Sequence, residues 1–473
     1  MFNWLIKSLL ILLLIFTPIA FGSMEIWGYS LMEVGILLII VLGVVQQFFL
    51  KDHQGAHPGT SLRMDTSILN ILLVLFLALV LFQMIPLSSG MMKVISPRTY
   101  ELRHQLLLTN DPLQMFPLSF VPFVTKLEFF KWICLTGLFL FLLRWTLSNN
   151  GYRTANHLIL VIMSLGIAES LYGMFEFFSG HRQILYLNEP AFVSAVTGTF
   201  FNRNYFAGYL LMVIPLSCGF LYSRESVRTL RYRSWRDRFS SVDGKTLLIG
   251  FGLILMILGL LFSASRMGIA SLLLSFSLIS ILFRDPDKGH RFSRTSVMIL
   301  GLTILWAAWI GLDAVLSRFF LTSSDDFESR WRIWVNTFQI LKDFPLFGSG
   351  LGTFAQIFPM YRSFYIRGVV THAENDFLQL ASEVGVVGAG LLLVLFVYLF
   401  CKAAAGILKL PNREPLRYIG ISGLISILAL TFHSIVERNI QVPANAFLFT
   451  FIWALVLTIS AKGTERQHSP VAQ

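Results

Sequence analysis

Long apolar windows recur along the whole chain and constrain its fold more than any other feature. Each window holds about 17 to 25 mostly apolar residues, enough for a helix to cross the roughly 30 Å hydrocarbon core of a bilayer. Of the 473 residues, 55% are hydrophobic and 13% are charged, and this charged fraction is about half that of soluble domains. The sequence therefore predicts an all-α, polytopic membrane helical bundle.

We predict about twelve transmembrane helices. Placing the N-terminus inside puts the Arg cluster from Arg224 to Lys245 in the cytoplasm, together with both termini, as the positive-inside rule requires. The first span is expected to be an uncleaved anchor, because a second span follows almost at once without a clear cleavage site. The predicted spans are 4–22, 25–50, 68–86, 127–147, 154–179, 204–223, 246–263, 267–283, 297–316, 384–405, 416–436 and 443–460.

Two long outer segments interrupt this series of spans. Segment 87–125 is rich in proline and predicts turns with short interfacial pieces. The larger segment, 317–383, is the only candidate for a subdomain outside the membrane. The predicted organisation is helices 1–4 in 1–150, helices 5–9 in 151–316, a large outer loop in 317–383, helices 10–12 in 384–460 and a cytoplasmic tail in 461–473.

The large outer loop contains a predicted interfacial helix, which starts near Asp325 or Asp326 and stops at Pro345 and Gly348. Its apolar residues are spaced for one face, as in a helix that lies on a membrane surface with indole anchors. Those residues are Trp331, Trp334, Val335, Phe338 and Leu341. The "GSGLG" that follows is not a phosphate loop, because no Lys-Ser/Thr follows it.

The net charge of +11 does not indicate nucleic acid as a partner. In a protein with many spans, a basic inner loop is the ordinary topogenic signal and a contact for anionic membrane lipids. The three cysteines all fall inside predicted spans and lack metal-ligand spacing. We therefore expect no thiol chemistry, and no cofactor is expected.

Arginines beside the membrane are informative, because an ionised side chain near mid-bilayer costs roughly 2.5 to 3.5 kcal/mol on insertion scales. Arg266 lies in a tight outer turn between two spans, where it can hold a phosphate or anchor the turn as a snorkelling side chain. Arg330 and Arg332 open the loop helix. They form either a face that contacts solvent or lipid headgroups, or a forked site for phosphate.

Acidic and histidine side chains form three further groups of candidates. Glu169 and Glu176 share a helix face, and this pattern favours structural pairing with arginine over a proton relay. His433, four residues before Glu437, predicts an interhelical hydrogen-bond cluster. In "THAENDF", His372 can act as a general base with Glu374 or Asp376 orienting it. Alternatively, Thr371, Asn375 or Asp376 caps the following helix.

Five motifs appear together and in a fixed order. They are "GTFFNRNYFAGYLLMVIPL", "ASRMG", "SRWRIW…DFPLFGSGLGTF", "THAENDFLQLASEVGVVG" and "HSIVERNIQVPANAFLF". In this order, across residues 160–460, the chain resembles the O-antigen ligase/polymerase family.

The resemblance implies a metal-independent, inverting glycan transferase in the bacterial inner membrane, with its active site facing the periplasm. Such an enzyme takes a saccharide from undecaprenyl pyrophosphate and joins it to a hydroxyl of a glycan or of a lipid core. Other polysaccharide assembly proteins are further expected partners. Ligase and polymerase are not separable from the motifs.

The resemblance also assigns site residues. Arg266 and Arg330 correspond to arginines that hold the leaving pyrophosphate, and His372 corresponds to the loop histidine. Many members read His-x-His-Asn where this chain has Glu374 as the third residue, so either His372 or Glu374 is the base. The expected substrate-binding residues are Arg332, Asn202, Asn204, Asn375, Glu169, Glu176 and His433.

A transporter or flippase for lipid-linked sugar is the alternative, with Glu169 and Glu176 as coupling carboxylates. Twelve spans suit this alternative. The long asymmetric outer loop and the lack of two corresponding halves favour the transferase.

Overall fold

A computed structural model of the chain describes residues 2–51, 66–107, 115–148, 151–181, 183–186, 195–228, 243–283, 301, 324–365 and 368–468. Across these residues the structure is helical apart from turns and two short strands, which confirms the all-α polytopic bundle. Helices suit the apolar spans because each backbone N–H and C=O is satisfied within its own segment. In chain order the elements are α1 (Phe2–Ile19), α2 (Ile26–Lys51), α3 (Ser67–Met84), β1 (Pro86–Ser88), α4 (Ser89–Ile95), α5 (Pro97–Leu107), β2 (Met115–Pro117), α6 (Pro122–Ser148), α7 (Gly151–Ser179), α8 (Arg203–Arg228), α9 (Gly244–Phe262), α10 (Arg266–Leu282), α11 (Ser324–Asp343), α12 (Phe354–Tyr361), α13 (Asp376–Leu408), α14 (Pro415–His433) and α15 (Pro443–His468).

Eleven of the twelve predicted spans correspond to helices of the structure. Within the described residues, nine helices are long and apolar enough to cross a membrane: α1, α2, α3, α7, α8, α9, α13, α14 and α15. Helix α6 and the 17-residue α10 occupy two further predicted spans. The predicted span 297–316, apart from residue 301, and most of the basic segment from Arg224 to Lys245 lie outside the described residues.

Helix α8 forms the centre of the bundle, and its whole apolar window is buried. It packs closely against α14, where the Ser426 hydroxyl donates to the Met212 carbonyl at 2.7 Å. A Cβ on Gly219 would lie 1.8 Å from the Ser422 hydroxyl, so a small residue is needed for this close approach. By contrast, only 33% of the windows of α1, α2 and α3 is buried, which leaves apolar faces for lipid.

The two predicted outer segments pack against each other at one end of the bundle. We call their described residues, 86–107, 115–121, 324–365 and 368–375, the loop layer. The Phe120 N–H donates to the Ser349 carbonyl at 2.8 Å, and Arg98 pairs with Asp343 at 3.1 Å. Helices α11 and α12 pack against α5 and form with it a small apolar core, separate from that of the bundle. A helix, α11, is therefore present where the interfacial helix is predicted, and part of it faces protein.

Helix α13 begins at Asp376 and is broken at Gly385, which has φ 66° and ψ −178°. The Val386 and Val387 N–H groups donate to the Pro345 and Leu346 carbonyls at 2.8 and 3.2 Å. This conformation is essentially restricted to glycine, and a Cβ here would lie 2.2 Å from the Leu346 carbonyl oxygen. The turn that contains "GSGLG" is thus hydrogen-bonded to α13 at its break. Helix α13 starts at Asp376, earlier than the predicted span at 384.

Candidate active site

The candidate site lies where the loop layer meets the bundle. The segment 368–375 leads into α13 there, beside the connection 434–442 between α14 and α15. The N-terminal turn of α11 and the starts of α8 and α10 reach the same region. Most of the predicted site residues come together at this junction.

The N-terminus of α13 is tied to the connection between α14 and α15. Asn375 is the N-cap, and its side chain accepts a 2.9 Å bond from the Leu378 N–H, so its predicted capping role is confirmed. Buried Asp376 accepts from the backbone N–H groups of Asn439 and Ile440, both at 2.7 Å. These bonds fix the connection that carries Glu437 and Arg438.

His372 is held by an arginine that lies far from it in sequence. Arg438 hydrogen-bonds to its Nε2, and a guanidinium has only donors, so Nε2 is the acceptor and the proton is assigned to Nδ1. Burial, followed by the charges of Arg438 and Lys131, lowers the pKa of His372 to about 2. The imidazole is therefore neutral at neutral pH, and its lone pair is engaged.

Arg330 makes two bonds to the same connection through one nitrogen. Its Nη1 donates to the Val436 carbonyl at 2.8 Å and to the Glu437 carboxylate at 2.6 Å. Glu437 is buried beside Asn204. Burial raises the pKa of Glu437 to about 7, although the adjacent Arg330 favours its ionised form.

Glu374 is partly exposed and lies close enough to Arg330 and Arg438 to interact with both charges. Its backbone is left-handed, with φ 52°, a conformation that costs a non-glycine residue of order 1 to 3 kcal/mol. Within the described part of the chain, its carboxylate receives no hydrogen bond. Burial raises its pKa, and the charges of Arg330 and Arg438 oppose that shift.

A buried hydrogen-bond chain links this junction to the turn that carries Arg266. His433 Nε2 lies 3.3 Å from the Ser265 hydroxyl, which caps α10 by accepting from the Gly268 N–H. On its other side, the His433 ring lies 2.9 Å from the carboxamide nitrogen of Asn439. Arg266, the first residue of α10, is exposed. The predicted cluster around His433 is thus present and extends to Asn439.

The same chain continues to the start of α8. The Asn445 side chain donates to the Asn439 carboxamide at 3.2 Å and to the Tyr205 carbonyl at 3.1 Å. Asn202 accepts a 2.8 Å bond from the Asn204 N–H, and the Tyr205 hydroxyl lies beside Arg438. The motif that contains Asn202 and Asn204 therefore borders the junction.

Three predicted substrate-binding residues have partners elsewhere. Glu169 is buried, and it accepts bonds from the Thr199 N–H and hydroxyl, both at 2.8 Å. Glu176 lies 3.9 Å from His181. Arg332 is exposed and pairs with Glu328 at 2.5 Å on the surface of α11. The arginine partner expected for Glu169 is thus replaced by a threonine, within the residues that the structure describes.

The sequence assigns Arg438 no role at the site. The available signal was its position in "VERN", directly after a span, where a charge has to find a partner. The described residues contain no group of three or more His, Cys, Asp or Glu side chains arranged to hold a metal ion.

Residues 251–393 match the family model described as O-antigen ligase. The chain carries an O-antigen ligase-like domain. The match runs from α9 into α13 and includes Arg266, Arg330, His372 and Glu374, so the predicted family is confirmed. The motifs at 198–216 and 433–449 lie outside the matched range. A comparison with curated proteins finds no match.

The O-antigen ligase family fits a multi-pass membrane protein with a polar junction at one end of its bundle. The match over residues 251–393 supports a glycan-transferring membrane protein of the O-antigen ligase/polymerase type. The family implies a lipid-linked glycan and a glycan acceptor as substrates.

Proposed function

We propose that this protein moves a saccharide from undecaprenyl pyrophosphate to an acceptor hydroxyl at the periplasmic face of a bacterial inner membrane. The observation that carries the proposal is the pair of fixed guanidinium groups at the junction. Arg330 is oriented by Val436 and Glu437, and Arg438 by His372. Glu374 interacts with the charges of both arginines.

The chemistry of the leaving group explains why arginines are suited to this site. The departing pyrophosphate gathers negative charge, and planar guanidinium groups offer forked donors that match phosphate oxygens. Groups that are already oriented need no reorganisation during the reaction, and such electrostatic stabilisation is usually the largest catalytic contribution. We assign Arg330, Arg438 and Arg266 to the pyrophosphate, in place of a divalent metal.

A single displacement is the reaction that this arrangement suits. The acceptor oxygen forms a bond to the anomeric carbon as the bond to the pyrophosphate oxygen breaks. The electron pair of the broken bond goes to the leaving phosphate, and the acceptor proton is lost. One such displacement inverts the anomeric configuration.

The course of the first and last helices supports a site on the side opposite the chain termini. Thr199, just before α8, donates to the Pro18 carbonyl at the end of α1, at 2.8 Å. Helix α15 starts beside Tyr205 at the junction and runs away from it. Both termini therefore point to the other end of the bundle. With cytoplasmic termini, as the basic inner loops favour, the junction faces the periplasm.

Reconstituted transfer tests the proposal. Purified protein in nanodiscs, with no ion gradient, receives undecaprenyl-pyrophosphate-linked glycan extracted from the producing cells. Product on a lipopolysaccharide core identifies a ligase, and product on a second repeat unit identifies a polymerase. Transport of the same donor across vesicles without any product would instead support the flippase.

Arginine variants then test the leaving-group role. We expect Arg330→Lys and Arg266→Lys to lower kcat roughly tenfold or more, because an ammonium keeps the charge but not the fork. Arg362→Lys, on an exposed residue of the loop layer, is the matched control. Control-like turnover by both site variants would contradict the proposal.

A further inference from the structure

We propose that Glu374 removes the proton from the acceptor hydroxyl, and that His372 acts as a positioning residue for Arg438. This inference rests on the proposed function, and it decides between the two bases that the sequence leaves open. It is carried by the geometry of the segment before α13 and by the burial or protein hydrogen bonds of the other candidate bases at the junction.

The backbone on both sides of Glu374 is held in place. The Ala373 carbonyl accepts from the Trp334 indole at 2.9 Å, and the Ala373 N–H donates to the Gln379 carboxamide at 3.0 Å. Asn375 is fixed as the N-cap of α13. The left-handed conformation of Glu374 is therefore imposed by its neighbours. Strain that surrounding structure maintains is typical of residues positioned for function.

The other titratable groups at the junction each already accept at least one hydrogen bond from the protein, although Asp376 Oδ1 and Glu437 Oε2 have no partner among the described residues. His372 offers its lone pair to Arg438, Asp376 accepts two backbone N–H groups, and Glu437 accepts from Arg330. Asp376 and Glu437 are each 4% exposed, so an acceptor sugar has little access to them. Glu374 is partly exposed and, among the described residues, has no hydrogen-bond donor directed at its carboxylate.

The electrostatic setting suits proton transfer. Burial raises the pKa of Glu374, which makes it a stronger base than an ordinary carboxylate. The charges of Arg330 and Arg438 act in the opposite direction and reduce this increase in pKa. The same arginines attract the pyrophosphate. One cluster of charges can therefore bring the donor and the proton acceptor together.

The proposed step is balanced without a further reagent. As the acceptor oxygen bonds to the anomeric carbon, its proton passes to a Glu374 carboxylate oxygen. The electron pair of the broken bond leaves with undecaprenyl pyrophosphate. Because Glu374 is partly exposed, it then returns the proton to water.

Glutamate variants test the base with two nucleophiles. We expect Glu374→Gln to lower kcat with the sugar acceptor by about 10²- to 10⁴-fold. Its affinity for undecaprenyl pyrophosphate should stay within about threefold. Azide needs no deprotonation, so the same variant should form glycosyl azide at close to the wild-type rate. Glu374→His, which restores the His-x-His pattern, should recover part of the sugar transfer, and Glu101→Gln is an exposed control in the loop layer.

The pH profile gives a second readout. A base must be deprotonated, so wild-type kcat/KM should fall as pH drops through the pKa of Glu374, which lies above the ordinary value of 4.5. Glu374→Gln should lose this acidic limb. His372→Ala should keep the limb while it weakens undecaprenyl pyrophosphate binding and slows the azide reaction, because Arg438 loses its orientation. His372→Gln, which offers an oxygen to Arg438, should restore both.

Three results would overturn the inference. Equal loss of azide and sugar transfer in Glu374→Gln would make Glu374 a positioning group. Loss of the acidic limb in His372→Ala would make the histidine the base. Unchanged sugar transfer by Glu374→Gln would remove the residue from the reaction. Failure of the proposed function is distinct from these, since wild-type protein would then form no product with either nucleophile.

Discussion

Two glutamates near the start of α13 show opposite ways of holding a carboxylate. Glu383 is buried and accepts from the Gly352 N–H at 2.9 Å, the Phe354 N–H at 3.3 Å and the Gln379 carboxamide at 3.1 Å. Glu374 is partly exposed, strained, and within the described residues receives no such bond. A carboxylate whose donors are supplied by the protein stabilises the fold. A carboxylate without them keeps its oxygens for a substrate.

The largest expected effect is on protein stability, and it distinguishes Glu383 from Glu374. Glu383→Ala leaves three donors buried without an acceptor, and we expect a loss of about 3 kcal/mol or more in the free energy of unfolding. Labelling of the buried Cys218 by a thiol-reactive dye during heating reports this unfolding. Wild-type thermal stability in this variant would mean that Glu383 does not hold the "GSGLG" turn.

A variant of Glu374 should show the opposite result, with little change in stability but a loss of activity. Glu374→Gly relieves the left-handed strain but loosens the unfolded chain, so we expect a change within about 1 kcal/mol, on the stabilising side. Sugar transfer should be abolished at the same time. The dye assay and the nanodisc assay measure the two outcomes on one preparation. A clear loss of stability would show that Glu374, like Glu383, is structural.

The smallest effect is expected at Arg332, two residues after Arg330. Its pair with Glu328 is an exposed i,i+4 contact, a type worth about 0.3 to 0.5 kcal/mol. Arg332→Ala should therefore raise KM less than threefold, far below the effect expected for Arg330. Initial-rate kinetics at varied donor concentration check this. A KM effect as large as that of Arg330 would place Arg332 on the donor.

The two arginines also show how far sequence reasoning reaches. Both have the same residue type and the same motif, and on periodicity alone neither is distinguishable from a solvated face. Only the packing of α11 against the connection 434–442 turns Arg330 inward to Val436 and Glu437. The spacing of residues in α11 can be read from one segment, whereas the surface against which α11 packs is formed by a distant segment.

The same distinction explains the parts of the site that the sequence anticipated. The Asn375 cap was predictable because it joins residues three positions apart. The bond between His372 and Arg438 joins residues 66 positions apart. Nothing in either motif specifies that the loop before α13 and the turn after α14 meet. That pairing follows from the order in which the helices pack.

The sequence by itself determined the membrane class, the helix positions and the family motifs, because a hydrophobic span is set by the length and polarity of one continuous segment. Tertiary structure alone decided which polar groups form hydrogen bonds within the protein and which remain available to a substrate. It engages the imidazole of His372, and it satisfies Glu169 with Thr199 and Glu383 with the glycine-rich turn. It leaves Glu374 with a strained backbone and within reach of the charges of two arginines. The physical reason is that a polar group's role depends on the donors and charges that distant segments bring to it.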